Sequence, residues 1–490
     1  VKLSANLYFI LLSLLTLPAV IYSYLKIVFL NDVYILFGSS ILADGLGVFP
    51  SNIDTAWETR PLGNRIVFYL LYKVCEPLYG NDFLFQVGTK AVVAVIIIAV
   101  CWYFAVQVCK HLKELNVYAV FLLTTVSLFT AHLMILLTTE HFAVIFTILA
   151  ISLLLSKNKY ANILSGGILL FIILLKMITI ILIPMAIISV ILITKEINKT
   201  KLYYCIVGFI ISILMFTIMC AVWFKHFISD SLLIIILHNP GYNTTLLVKV
   251  QALIFHSLGM WWFIPVSTVG VISAVIVLYE FIKTNNRLYA AMFIVLWVCP
   301  LVSVLIQYEW APHHYTALIL CSTISILLSI STNYKKYHLV AVTVIILFIL
   351  IAFGMTSSIW QDTHEHMWDN NIHDANIMKQ SFGISDQSDI LYADVGISAY
   401  FVGGIPSACR ETYPWVIRSG YKIGLANEPA YLSAKKCIMD YSGKYILYDG
   451  AITDPDISTK ITAEYIKVYN GTYWHPVYPP TDLYQRRSVT

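Results

Sequence analysis

The chain has 490 residues, 59% of them hydrophobic and 12% charged, with a mean hydropathy of +0.79. Soluble domains carry roughly 25% charge, so the composition excludes a chain solvated throughout by water and predicts an α-helical polytopic membrane protein. The formal net charge of +4, spread over short loops, excludes a nucleic-acid footprint, which needs clustered Lys and Arg on one surface.

The first thirty residues, VKLSANLYFILLSLLTLPAVIYSYLKIVFL, run apolar after Lys2 and contain no small-residue cleavage site of the A-x-A type. This predicts a retained first helix that also serves as signal anchor. Further apolar runs of spanning length fall at 84–109, 116–137, 140–156, 202–224, 259–282, 287–306, 313–332 and 337–358. The stretch 160–194 is too long for one span and short for two. It reads as two tight helices meeting near Lys176, with Pro184 in the second. The expectation is about eleven spans.

Basic residues in short loops set the orientation. Alternate loops hold Lys110 and Lys113; Lys157 and Lys159; Lys195, Lys199 and Lys201; Lys283 and Arg287; Lys335 and Lys336. The complementary loops at 138–141 and 307–312 contain no Lys or Arg. The pattern predicts an integral plasma-membrane protein with a cytoplasmic N-terminus and an extracytoplasmic C-terminus. Two domains are expected: a transmembrane catalytic domain over 1–358 and a small soluble α/β domain over 359–490.

Three segments on the outer side are long. Residues 31–83 form the first outside loop, where RIVFYLLYKVCEPLYG is apolar but interrupted by Lys73 and Glu76, the pattern of a helix lying along the interface. Residues 225–257 turn at HNPGYN between two apolar pieces. In the tail, DILYADVG, GKYILYDG and EYIKVYNGTYWHPVY read as short strands bounded by Gly, Asp and Asn. Of the nine cysteines, only Cys409 and Cys437 fall in the polar tail. Outside the cytoplasm they are candidates for a disulfide. The tail segment QDTHEHMWDNNIHD gathers His364, His366 and His373, but residues two apart share a face only on a strand, so no metal site is expected. Sequons stand at Asn243 and Asn470 on the outer side and at Asn198 on the inner side. No internal repeat is visible, which weighs against transporters built from duplicated halves.

Ionisable residues at membrane depth are costly and mark function when they face a cavity. SNIDTAWETRPLGNR, residues 51–65, packs Asp54, Glu58, Arg60 and Arg65 beside the first span. A carboxylate beside cations is what a reaction needs when it deprotonates an acceptor hydroxyl next to an anionic leaving group. The same charges also suit a surface loop with weak ion pairs. Two other outward loops carry polar groups: Glu140 and His141 in LLTTEHFAVIF, and Tyr308, Glu309, His313 and His314 in IQYEWAPHHYTALIL. The histidine pair suits a phosphate and equally an interfacial belt. Glu140 also suits a helix entry favoured by the dipole. Lys176 is the lone charge of a long apolar stretch and must reach outward or meet an anion.

The layout resembles the C-type glycosyltransferase (GT-C) superfamily, polytopic membrane enzymes that use polyprenyl-phosphate sugars. TTEHFAVIFTILAISLLL followed by GGILLFIILLKMITIILIP is similar to members related to protein mannosyltransferases and lipid A aminoarabinose transferases. There a Gly-initiated apolar helix leads to a lysine and a short helix with proline. The resemblance implies an acidic catalytic residue near Asp54, with Lys176 approaching the donor phosphate and Glu140 lining the substrate cavity. This chain lacks an adjacent acidic pair, since Thr55 follows Asp54. Glu58, Asp44 and Asp32 therefore remain rival bases.

The reading that follows is an inverting glycosyltransferase. Asp54 or Glu58 would act as base, with the donor phosphate held by Arg60, Lys176 and His313 and backed by Arg65 and His314. Glu140, His141, Tyr308 and Glu309 would line the cavity. The expected partners are a polyprenyl-phosphate-linked sugar, a glycan, glycolipid or protein acceptor, and membrane lipid, with no nucleic acid. A monophosphate donor carries no diphosphate needing a divalent ion, so no metal or cofactor is expected. The alternatives are a transporter or flippase of lipid-linked glycan, or a polymerase or ligase using polyprenyl-diphosphate glycans.

Overall fold

The computed structural model describes residues 4–26, 61–79, 82–131, 138–225, 286–307, 316–333, 376–384, 390–393, 429–448, 452–471 and 482–487, with isolated positions between these stretches. The described elements are mostly helices, with one small sheet. The chain divides into two compact units. One comprises Val1–Ile27, Val87–Phe216 and Gly241–Trp360; the other comprises Val28–Gln86, Thr217–Pro240 and Gln361–Thr490.

In chain order the helices are α1 (Ala5–Lys26), α2 (Leu62–Cys75), α3 (Asp82–His111), α4 (Val117–Ala131), α5 (Thr139–Leu155), α6 (Lys159–Leu175), α7 (Leu182–Thr194), α8 (Lys199–Val222), α9 (Arg287–Gln307) and α10 (Thr316–Asn333). Among the described residues, three segments are long and apolar enough to cross a membrane: Ala5–Tyr22, Leu84–His111 and Lys199–Val222. Helices α5 and α6 have 17 residues each. At 1.5 Å per residue they are about 25 Å long, somewhat short of the roughly 30 Å hydrocarbon layer. The expected span at 337–358 lies outside the described residues.

Helix α5 is the centre of the first unit. All its residues except Phe146 and Leu149 are buried, as befits a helix that is apolar all round. It packs on α6, α7 and α10, while α1 lies on α4 and α9 on α7 and α10. Several hydroxyls in these helices bond to nearby backbone carbonyls, as a low-dielectric interior favours. The hydroxyls of Thr147 and Ser152 donate to Ala143 O (2.6 Å) and Ile148 O (2.6 Å). Ser165 donates across to Ala150 O at 3.0 Å, tying α6 to α5.

The crossing of α6 and α8 is set by glycine. A Cβ on Gly166 would stand 2.0 Å from Cys205 O, and one on Gly208 would stand 1.9 Å from Ile163 O. The two backbones touch directly, the approach that small residues permit between apolar helices. The far face of α8 is exposed and apolar, with Ile206, Ile210, Leu214 and Ile218 each about half or more open.

The second unit holds α2 and a sheet of four strands in the order β1-β2-β4-β3, where β1 is Ile390–Ala393, β2 is Tyr445–Tyr448, β3 is Tyr465–Tyr469 and β4 is Asp482–Arg486. Strands β1 and β2 are parallel, and β4 is antiparallel to both β2 and β3. The connection from β1 to β2 carries α11 (Pro429–Asp440), the helix-bearing crossover a parallel pair requires. Helix α12 (Pro455–Glu464) precedes β3. All four residues of β2 are buried: Ile446 and Tyr448 pack with Tyr431, Ile438 and Ile461 on the helices, while Tyr445 and Leu447 face Met378 and Ile384. Strand periodicity sends alternate residues to opposite faces, so this strand is covered on both. The three strands expected from sequence fall where β1, β2 and β3 lie. Strand β4, between β2 and β3, was not anticipated.

Asp454 ties α11 to α12. Its buried carboxylate caps α12 by accepting from Asp456 N (2.9 Å) and also receives the Tyr431 hydroxyl and the Lys435 ammonium. Burial alone would raise this carboxyl, but those hydrogen bonds outweigh it and hold it below the usual range. Cys437, on α11, is disulfide-bonded, and the seven other described cysteines are free. Cys409 lies outside the described residues.

Candidate functional site

Helices α5 and α6 form an antiparallel hairpin joined by residues 156–158. Because the two are equally long, the first turn of α5 stands beside the last turn of α6. That register brings Glu140 to Lys176: the ammonium donates to the Glu140 carboxylate in a close ion pair. Each charge also suits its own helix end, an acid at an N-terminus and a cation at a C-terminus. The Glu140 side chain is 9% exposed and that of Lys176 29%. His141, one residue further into α5, is fully buried.

Lys176 stands at a break in the chain. Its backbone is extended (φ −160°, ψ 127°) between the end of α6 and a 3-10 turn, Met177–Ile181, that leads into α7. The two helices expected to meet near Lys176 do meet there. Pro184 explains part of this: it lacks an N–H and its ring clashes with the carbonyl four residues earlier, so it is accommodated best in a first turn, which is where it sits in α7. Thr179 closes the break. Its hydroxyl lies 2.6 Å from Ile172 O and also reaches Lys176 O, while its N–H donates to Lys176 O at 2.9 Å. Ile172 O also accepts from Lys176 N at 3.5 Å, so the hydroxyl adds a second contact there.

The opposite end of the hairpin collects basic groups. His111 Nε2 lies 3.1 Å from Leu155 O, and Lys201 Nζ donates to the same carbonyl at 3.0 Å. Asn116 donates to Asn6 Oδ1 at 2.6 Å. The ends of α3, α5 and α8 thus meet about 25 Å from the Glu140–Lys176 pair, counting 1.5 Å per residue along α5.

In the second unit, Arg65 lies on α2 and is buried, its guanidinium 6.0 Å from the Phe227 ring centroid. This is cation–π range. Asp44, a rival base, accepts from Tyr69 Oη at 3.1 Å and from Lys73 at 3.0 Å; Lys73 also meets Glu76 at 2.6 Å. Asp54, Glu58, Arg60, Tyr308, Glu309, His313 and His314 lie outside the described residues.

One charge escaped the sequence reading. Lys90 is 2% exposed within α3, and its ammonium donates to Leu25 O near the end of α1. The signal was available, since it is the only charged residue between 84 and 109. No family model and no curated protein matches the chain, so the functional argument rests on its own residues.

Proposed function

We propose that the chain is a polytopic membrane glycosyltransferase of the C-type architecture, with about eleven spans, that moves a sugar from a polyprenyl-phosphate donor to an acceptor hydroxyl outside the cytoplasm. The observation that carries this reading is the Glu140–Lys176 pair at the break between α6 and the turn Met177–Ile181. An ammonium held at a helix end beside a carboxylate, with its side chain 29% exposed, suits the stabilisation of an arriving phosphate. The basic cluster around Leu155 O, at the far end of the hairpin, supports the orientation in which Glu140 and Lys176 face outward.

In this reading the acceptor oxygen attacks the anomeric carbon while the bond from that carbon to the phosphate oxygen breaks. The hydroxyl proton passes to Asp54, the configuration inverts, and polyprenyl phosphate leaves. Arg60, His313 and Lys176 take up the growing charge on the leaving phosphate, backed by Arg65 and His314. The sheet-bearing tail lies on the same side as the acceptor.

The test is incubation of purified chain with radiolabelled polyprenyl-phosphate sugars. Asp54→Asn should bind donor and fail to transfer it, and Lys176→Gln should lose about 10²-fold or more in kcat/KM, the usual effect of removing one charge-stabilising donor. Normal turnover by Asp54→Asn ends the assignment. Movement of labelled lipid across the bilayer without transfer replaces it with a flippase.

A further inference from the structure

Helix α2 carries an apolar surface that the transfer reaction does not use. Its buried face includes Phe68, Leu71, Tyr72 and Cys75, and the Tyr72 ring lies 6.4 Å from that of Phe85 in the first turn of α3. A helix on the surface of a water-soluble domain turns polar residues the other way. In α2 the other face holds Leu70 and Val74, 50% and 63% exposed, with Ile66 and Val67 half-buried beside them. Leu70 and Val74 stand four apart, on one helical stripe. Leu78, also exposed, follows four residues on in the 3-10 turn Glu76–Leu78.

The Val48–Phe49 turn extends this surface. The Phe49 ring stacks on Tyr69, with centroids 5.7 Å and planes 10° apart, and Val48 is 81% exposed. Charges at the edge pair with one another: Lys73 meets Asp44 at 3.0 Å and Glu76 at 2.6 Å. One cation between two carboxylates offers no net attraction to an anionic surface, so apolar burial is the force that remains. The chain itself says what lies against the patch. Tyr79 is three residues from Asp82, where α3 starts, a reach of about 11 Å at most. The apolar span within α3 begins at Leu84. The C-terminal end of α2 therefore sits where the chain enters the hydrocarbon layer.

We propose that the outward face of α2 and the Val48–Phe49 turn lie in the interfacial layer of the leaflet that α3 enters, with Leu70, Val74 and Leu78 among the first acyl carbons and the Lys73 cluster among the headgroups. Helices held in this way sink about 5–10 Å into the boundary between headgroups and chains. The proposal rests on the membrane placement of the chain and not on the transfer reaction. Because the force is apolar, zwitterionic and anionic lipids serve equally.

The experiment is photolabelling of the full chain in lipid nanodiscs, with the labelled residues read by mass spectrometry. A shallow probe is a phospholipid carrying a diazirine near its glycerol; a deep probe carries it at the end of the acyl chain; hydroxyl radicals report contact with water. The exposed α8 residues Ile210 and Leu214 are the internal standard and should take the deep probe. If neither lipid probe reaches them, the membrane placement is refuted and the proposal with it. Leu70 and Val74 should take the shallow probe, to the same extent in phosphatidylcholine and phosphatidylglycerol, and should be shielded from radicals. Leu70→Gln with Val74→Gln should lose most of the shallow labelling over 66–78 while α8 keeps its own. Deep labelling of Leu70 and Val74 would make α2 a span, and oxidation without lipid labelling would make its face an aqueous surface. Labelling by none of the three would make it a protein contact, and labelling in phosphatidylglycerol alone would make it charge-driven. Each of these overturns the proposal, as does a double variant labelled like the unaltered chain.

Discussion

Alanine at Gly208 tests the helix packing that positions Lys176. The new Cβ would lie 1.9 Å from Ile163 O and 2.7 Å from Ile163 C, whereas carbon and oxygen in contact stand about 3.3 Å apart. The deficit of about 1.4 Å falls on backbone, which cannot rotate away as a side chain can, so α8 and α6 must separate. Gly166→Ala makes the same demand from the other side, at 2.0 Å from Cys205 O and 2.5 Å from Phe209 N. Gly167 is the internal control: its Cβ would meet only the Ser212 hydroxyl at 2.9 Å, a group free to turn. All three substitutions gain about 1 kcal/mol of helix propensity, and overpacking costs about 1–3 kcal/mol. Gly167→Ala should therefore be neutral or stabilising. The other two should lose the propensity gain and more, and the displaced α6 should carry Lys176 away from Glu140. Denaturant midpoints of the detergent-solubilised chain measure the order. Equal shifts in the three variants would refute the account of a backbone contact.

Three further outcomes follow from local geometry. Thr179→Val, matched in shape, should cost about 0.5–1.5 kcal/mol, the net worth of one hydroxyl hydrogen bond, since Ile172 O and Lys176 O keep their N–H donors, and Thr179→Ser should restore most of it in the same denaturation assay. The Asp454 carboxyl is held below its unfolded value of 3.8, so its contribution is present above that pH and is lost as pH falls through the lower folded value. Hydrogen exchange over 452–464, corrected for intrinsic rate, should accelerate in that acid window, and Asp454→Asn should abolish the acid dependence. Thiol labelling of the denatured, unreduced chain should find seven reactive cysteines and nine after reduction, since Cys437 is disulfide-bonded while seven are free among nine; nine before reduction would contradict the bond.

Different parts of the molecule were legible to different degrees, for reasons visible in particular residues. The run from Thr139 to Leu155 is apolar at every helical phase, so both its helix and its central burial follow from composition. The break at Lys176 was legible because a lone charge and Pro184 interrupt an otherwise uniform stretch. Strand β2 announces itself as four consecutive apolar residues, but β4, with the sequence DLYQR, buries only Leu483 fully. Its place between β2 and β3 comes from pairing with residues distant in sequence, and strand propensity depends on such partners. Lys90 carries no local mark of its partner, because the carbonyl that receives it belongs to Leu25 on α1.

What the amino-acid order determined alone was hydrophobic character, helix ends, turn positions and which loops are basic, because each depends on residues within a turn or two of one another. What only the tertiary structure decided was who meets whom: Glu140 with Lys176, Lys201 with Leu155 O, Gly208 with the backbone of Ile163. These pairs lie 36, 46 and 45 residues apart. Their contact depends on equal helix lengths, a three-residue connection and the absence of two methyl groups, quantities that take effect only once the helices are packed.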